Sequence, residues 1–127
     1  VDFTLAWRHL ADAAAGDDEP LLQRFAAPAA AQAWLSRWRA RTAREDAGSG
    51  HDGHTRSQRL RLTNPRLVAR NHRVEAALAA ATSGDLQPFE QLLQALRRPF
   101  DDDPALQPYA EPAPADEAER YQTFCGT

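Results

Sequence analysis

Apolar residues at the start of the chain recur with the period of an α-helix rather than that of a strand. The positions that follow the i, i+3, i+4, i+7 spacing are Phe3, Ala6, Trp7 and Leu10. Asp2 stands where a side chain can cap the first turn, and Gly16, followed by two aspartates, ends the pattern. We therefore expect an amphipathic helix with these four residues on its apolar face.

Two further helices are predicted by the same period. Asp18 is the expected cap of a short helix, and Pro28 suits the first position of a longer one that ends near Glu45. Their apolar faces consist of Leu21, Leu22 and Phe25 in the short helix and of Ala31, Trp34, Leu35 and Trp38 in the longer one.

The segment 46–58 has no apolar period and contains three glycines, so it is predicted to be a flexible loop. His51 and His54 lie in it with Asp52 between them. Two histidines and a carboxylate could ligate a metal, but metal ligands need a rigid frame and supporting hydrogen bonds. The segment therefore favours a solvated polar loop over a metal site.

The strongest helical pattern begins after this loop. Asn64 is the expected cap and Pro65 the first helical residue, while Gly84 suits a left-handed stop. Asp85 can cap the next helix at once, and Pro99 ends it. The apolar positions are Leu67, Val68, Val74, Leu78 and Ala81, with Asn71 on the same side, and then Leu86, Phe89, Leu92, Leu93 and Leu96. So short a connection predicts an antiparallel helix pair.

Residues 99–127 are rich in proline and acids and are predicted to form an extended acidic tail. Its possible anchors are aromatic: Phe100, Tyr109, Tyr121 and Phe124. We expect the tail to wrap back over the helices at least as far as Tyr109. Together the patterns predict an all-α fold of about five helices, arranged as a single helical domain over residues 1–127.

The composition narrows the classes of function. The chain has no Lys, so it contains neither a Walker-type phosphate loop nor a kinase-type nucleotide lysine. A net charge of −3 argues against a nucleic-acid partner, and the absence of a long apolar run argues against a membrane partner. Because the chain has no Met, we expect it to be a piece of a longer protein.

The charges are distributed unevenly along the chain. Six arginines and no acid lie between Gly53 and Val74, whereas seven acids and one arginine lie between Pro99 and Arg120. The two segments could pair within the chain. The alternative hypothesis is a stand-alone helical interaction module that binds an acidic partner through its arginine-rich helix. A nucleic acid is disfavoured because the basic segment has no aromatic residue on which bases could stack.

Arg70, Asn71 and His72 interrupt a segment of high helix propensity with polar side chains. One interpretation is a buried, hydrogen-bonded cluster that joins this helix to the tail or to its neighbour. The functional interpretation is packing against a partner domain. The residues alone favour the first.

Cys125 is the only cysteine, so no disulfide can form within the chain. An isolated cysteine is most often an inert thiol. A redox or intermolecular role stays open, because this thiol lies two residues from the end of the sequence.

Several stretches together resemble the C-terminal region of the selenoprotein O family, also called the YdiU family. They are "WLSRWRAR", "NPRLVARNH" followed by "EAALAAATSGD", "FEQLLQALRRPFDDDP", "YAEP" and a cysteine third from the end. The resemblance covers about Phe25 to Thr127. The chain departs from the family pattern at Ala69, commonly Leu, and at Gly126 and Thr127, where the family often ends Cys-Ser-Ser. The glycine-rich segment from Asp46 to Gln58 also looks longer than usual.

The resemblance implies a parent enzyme of kinase-like fold in the bacterial cytoplasm. Such enzymes transfer AMP from ATP, with Mg or Mn, to Ser, Thr or Tyr hydroxyls of proteins. The family's catalytic residues lie upstream, so no catalytic, cofactor-binding or metal residue is assigned here. The implied partners are the catalytic region of the same parent chain and the parent's protein substrates. In the family the residue at the position of Cys125 takes part in redox regulation and can form a disulfide with the catalytic region.

Overall fold

A computed structural model describes residues 1–114 of the chain. Over these residues it contains seven α-helices, one short 3₁₀ helix and no strand. The helices are α1 (Phe3–Ala14), α2 (Glu19–Leu22), α3 (Pro28–Ser49), α4 (Gly53–Thr63), α5 (Asn71–Thr82), α6 (Gln87–Leu96), the 3₁₀ helix (Pro104–Leu106) and α7 (Gln107–Ala110). The all-α prediction is confirmed, although about five helices were expected.

Contacts divide the chain into two compact units, Val1–Arg66 and Leu67–Thr127, where the sequence analysis expected one domain. We call them the N-terminal unit and the C-terminal unit. No helix within residues 1–114 is both long enough and apolar enough to cross a membrane.

Helix α1 begins as predicted, because the Asp2 carboxylate accepts a hydrogen bond from the Leu5 amide at 2.9 Å. Its buried residues are Leu5, Ala6, Arg8, Leu10, Ala11 and Ala13. Phe3 and Trp7, placed by the period on the apolar face with Ala6 and Leu10, are instead exposed. Apolar residues therefore occupy two sides of α1, and the N-terminal unit covers only one of them.

The core of the N-terminal unit forms around α1, α2 and α3. Its buried residues are Ala6, Leu10, Ala13, Leu21 and Leu35, with Leu22, Phe25, Trp38 and Leu60 packed against them. The buried partners of Leu35 thus come from α1 and α2.

The predicted loop over 46–58 is wrong for most of its length, because α3 continues to Ser49 and α4 begins at Gly53. Gly50 ends α3 in the left-handed conformation, with φ 69°. Arg56 on α4 donates to the Asp46 carboxylate on α3 at 2.6 Å. This ion pair connects the last turns of α3 to α4, and a search for apolar periodicity does not detect helical segments that are held in this way.

Helix α4 packs antiparallel to α1 within the N-terminal unit. At one end, a side chain on Gly53 would lie 2.4 Å from the Ala14 carbonyl oxygen, so only glycine permits the approach. Towards the other end, the buried Arg8 guanidinium donates to the carbonyl oxygens of Arg61 at 2.6 Å and Asn64 at 3.1 Å. These carbonyls belong to the last turn of α4, where a cation is favourable.

In the C-terminal unit, α5 begins at Asn71 instead of Pro65. Asn64 ends α4, and its side-chain amide donates to the Leu60 carbonyl at 3.0 Å. The chain then runs without helix to Arg70, and the buried Leu67 donates its amide to the Pro99 carbonyl at 3.1 Å.

Helices α5 and α6 pack against each other, joined by a short connection in which Gly84 has φ 90°. The predicted glycine stop and helix pair are therefore present. Asp85 accepts from the Gln87 amide at 3.0 Å and so supports the start of α6. Between α6 and residue 114 the chain is partly helical rather than extended, and Leu106 and Ala110 are buried.

Candidate functional site

An apolar groove in the N-terminal unit is the principal candidate for a functional surface. Its volume is about 590 Å³, and every residue that lines it is apolar. The large side chains around it are Phe3, Trp7, Leu10, Leu21, Phe25 and Trp34. Phe3 is 71% exposed, Trp7 49% and Trp34 40%. Clustered aromatic side chains that are this exposed to solvent are typical of surfaces that bind another protein segment.

The sequence produces this groove through two local features. Helix α1 carries apolar residues on two sides, so Phe3 and Trp7 stay outside the core. Alanines at the start of α3 and just before it add no bulk, which leaves space between α1 and α3. Trp34 stacks on Trp38, with ring centroids 6.1 Å apart and planes at 13°, so the groove wall on α3 is held in one orientation.

A second, polar cleft of about 490 Å³ lies beside α3 and α4. It is lined by Glu45, Asp46, Ser49, His51, Arg56 and Arg59, among others. Its acids are already paired: Arg56 contacts both Asp46 and Glu45, and Arg41 donates to Glu45 at 2.8 Å. The carboxylates of this cleft therefore already have arginine partners within the chain.

The three residues considered as possible metal ligands, His51, Asp52 and His54, do not form a cluster in the described structure. Asp52 caps α4 by accepting from the Thr55 amide at 2.8 Å. This hydrogen bond is the main reason that the pKa of Asp52 is lowered. His54 instead contacts the side-chain amide of Gln58 at 3.1 Å. Within residues 1–114 no cluster of three or more metal-binding side chains occurs.

Arg70, Asn71 and His72 lie at the start of α5. The Arg70 guanidinium donates to the Ala110 carbonyl through Nη2 at 2.8 Å and Nε at 3.2 Å. It therefore joins the start of this helix to the segment around α7, although Arg70 is only half-buried. Asn71 is exposed at the first position of α5 rather than on its apolar side, and His72 is half-buried. Cys125 lies outside the described residues.

Three of the six arginines in the basic segment contact groups within their own units. Arg61 pairs with Asp12, Arg56 with Asp46, and Arg70 with the Ala110 carbonyl. These contacts weigh against an arginine face presented to an acidic partner. The acids after α6 pair with Arg98: Asp101 at 2.7 Å and Asp103 at 3.1 Å, and both raise the pKa of Arg98.

Sequence reasoning missed two features of the N-terminal unit. It named Phe3, Trp7 and Trp34 as parts of apolar helix faces but did not anticipate that they would line one open groove. It also overlooked the buried Arg8. A charged residue close in sequence to the apolar Leu5, Ala6 and Leu10 could have indicated this role.

Comparison with models of protein families finds no match. Among curated proteins, three similar relatives all carry the name protein nucleotidyltransferase YdiU. The one from Cereibacter sphaeroides is 48% identical over 127 residues, which are 100% of this chain and 24% of the relative. That from Bradyrhizobium sp. is 46% identical over 129 residues, 100% of this chain and 25% of the relative. That from Chromobacterium violaceum is 44% identical over 133 residues, 100% of this chain and 26% of the relative.

The chain therefore spans about a quarter of the length of the curated relatives it matches. Identity of this level over every residue of the chain reflects common descent and not a shared composition. The chain is homologous, along its whole length, to a portion of the YdiU protein nucleotidyltransferases.

Proposed function

We propose that this chain is the C-terminal helical region of a YdiU-type protein nucleotidyltransferase. The parent enzyme transfers AMP from ATP, with Mg or Mn as the divalent metal, to Ser, Thr or Tyr hydroxyls of proteins in the bacterial cytoplasm. The observation that carries the proposal is the 48% identity across the entire chain to a protein named as a nucleotidyltransferase. The order of the blocks from "WLSRWRAR" to "YAEP", which resembles that of the family's C-terminal region, supports the C-terminal assignment.

In this proposal the region supports the catalytic part of the parent and does not itself perform the transfer. Its charged side chains stabilise helices: Asp52 caps α4, Arg8 donates to carbonyls at the end of α4, and Asp46 pairs with Arg56. Arg70, Asn71 and His72 are the proposed contacts with a neighbouring domain. ATP and the divalent metal would bind elsewhere in the parent.

Cys125 is proposed as the redox-sensitive residue of the parent. Its thiol and a second thiol in the catalytic region would form a disulfide, while a peroxide-class oxidant accepts the two electrons and two protons. The proposal rests on the resemblance of the sequence around Cys125 to the family's C-terminus. The bond would link this end of the chain to the catalytic region, and a dithiol reductant would release it.

The test of the proposed activity uses the full-length parent. With ATP labelled in the α-phosphate and Mg or Mn, the parent should transfer labelled AMP to itself or to a protein substrate. ATP labelled in the γ-phosphate is the matched control, because a protein kinase would transfer that label instead. Transfer of γ-label only, or of neither label, would contradict the proposal.

The redox proposal has a separate test. After a peroxide pulse, Cys125 of the parent should resist alkylation until a reductant is added, and the bridged peptide should appear in non-reducing mass spectrometry. A Cys125→Ser parent should lack that peptide. If Cys125 alkylates fully after the pulse, the thiol has no regulatory role.

A further inference from the structure

We infer that the apolar groove of the N-terminal unit is the docking site for an apolar segment from the part of the parent chain that lies outside these 127 residues. The inference rests on the proposed function in one respect, namely that the parent resembles the YdiU relatives in length. Homology to the YdiU relatives gives this groove no role, and the inference says what binds in it.

The first argument is the chemistry of the groove. All of its lining residues are apolar, and Phe3, Trp7 and Trp34 leave large parts of their rings uncovered. A helix that is apolar on more than one side is normally buried on more than one side. Helix α1 fits this rule only if something covers Phe3 and Trp7, since the core already covers Leu5 and Leu10.

The second argument is the amount of chain available to fill the groove. The relatives are about four times as long as this chain, so about three quarters of such a parent lies elsewhere. A segment of the same polypeptide meets the groove at a high effective concentration, and a separate molecule does not. An exposed apolar patch of this kind is most economically covered by the rest of its own chain.

The third argument concerns shape. A second copy of this chain would have to present the same surface in a two-fold arrangement. Two concave grooves do not fill each other, whereas the side chains of one protruding helix or loop would fill a groove of about 590 Å³. The expected occupant is an amphipathic segment with apolar side chains spaced three and four residues apart.

The experiment places a photo-crosslinking residue, p-benzoylphenylalanine, at Phe3 of the full-length parent. After irradiation and digestion, mass spectrometry should show one dominant link to an apolar peptide outside the 127 residues. The same residue at Leu62, which is 76% exposed and does not line the groove, is the matched control and should not link to that peptide. Mixing heavy-isotope and normal protein separates links within a molecule from links between molecules.

A second variant tests whether the groove itself holds the segment. Trp7→Ser should lower the yield of the Phe3 crosslink at least about fivefold, because a half-exposed aromatic anchor is removed. Leu62→Ser should leave the yield unchanged. Links between copies, links only to residues 67–127, no link, or equal yields in the two serine variants would each overturn the inference.

These outcomes are independent of the AMP-transfer test. A parent that transfers AMP but shows links only between copies would retain the proposed function and lose the docking site. A parent with the expected crosslink but no AMP transfer would retain the docking site and lose the proposed activity.

Discussion

The two units of this chain stabilise their helices in different ways. In the N-terminal unit, Leu10, Leu21 and Leu35 share a core, and charged side chains connect α1 to the distant α4. In the described part of the C-terminal unit, α5 packs against its neighbour in sequence, α6, and Leu78, Phe89 and Leu93 stay exposed. The N-terminal unit therefore depends on contacts between residues far apart in sequence, and the hairpin depends mainly on local ones.

This difference also separates their surfaces. The N-terminal unit gathers its exposed aromatic residues around one groove, which suits a single docked segment. In the described part of the C-terminal unit, the exposed Leu78, Phe89 and Leu93 line a smaller apolar cleft of about 150 Å³ between α5 and α6. Exposed aromatic residues that cluster in one groove favour a defined partner, because hot-spot residues cluster near the centre of an interface.

The largest expected effect comes from the core of the N-terminal unit. Leu35→Ala should lower the free energy of unfolding of this unit by about 2–5 kcal/mol, because it leaves a cavity at a residue that is 1% exposed. Urea unfolding followed by tryptophan fluorescence measures this unit alone, since all three tryptophans lie in it. The exposed Leu62→Ala is the control. A loss below about 1 kcal/mol for Leu35→Ala would show that this core is loose.

Removing the charge of one arginine from each unit, Arg8 or Arg70, should lower the free energy of unfolding by different amounts. Arg8→Met should cost roughly 1.5–3 kcal/mol, the range for charge-assisted hydrogen bonds, since the buried guanidinium serves two carbonyls. Arg70→Met should cost about 1 kcal/mol, because the guanidinium that donates to the Ala110 carbonyl is only half-buried. Residue-resolved hydrogen exchange should show faster exchange in α4 for the first variant and in α5 for the second. Equal losses would remove the distinction between the units.

Two glycines of the N-terminal unit should respond in opposite directions. Gly53→Ala should destabilise by about 1–3 kcal/mol, because the new methyl group would meet the Ala14 carbonyl at 2.4 Å. Gly48→Ala lies within α3 with open space around it and should stabilise by about 0.5–1 kcal/mol. The two variants share the same chemistry, so urea unfolding that moved both in one direction would contradict the close packing of α1 and α4.

The smallest expected effect is a pH dependence at the start of α4. The hydrogen bond from the Thr55 amide stabilises the charged Asp52 carboxylate and lowers its pKa below the ordinary 3.8. Its contribution is therefore present above the unfolded pKa and is lost as the pH falls through the lowered folded value. A carbon-detected NMR titration should place the Asp52 midpoint below 3.8. In Asp52→Asn this titration disappears, and the first turn of α4 should no longer fray selectively in acid.

Much of the local structure follows from the sequence. The cap at Asp2, the stop at Gly84 and the leucine-rich helix before Pro99 depend on residues within one or two turns of each other, so spacing alone identified them. The residues of the groove were also visible as apolar positions. Their exposure was not, because periodicity shows that a face is apolar without showing which partner covers it.

Tertiary structure decided the remaining features. Helix α1 has apolar residues on two sides. Packing against α2, α3 and α4 buries the side with Leu5 and Leu10 and leaves Phe3 and Trp7 exposed. Helix α4 has no apolar stripe, and it contacts Arg8 and Ala14, which are distant in sequence, as well as the nearer Asp46. The sequence by itself determined an all-α chain with most of its helix boundaries, because those depend on local caps and propensity. The choice of buried face and the existence of α4 depended on contacts across more than forty residues, which no local pattern contains.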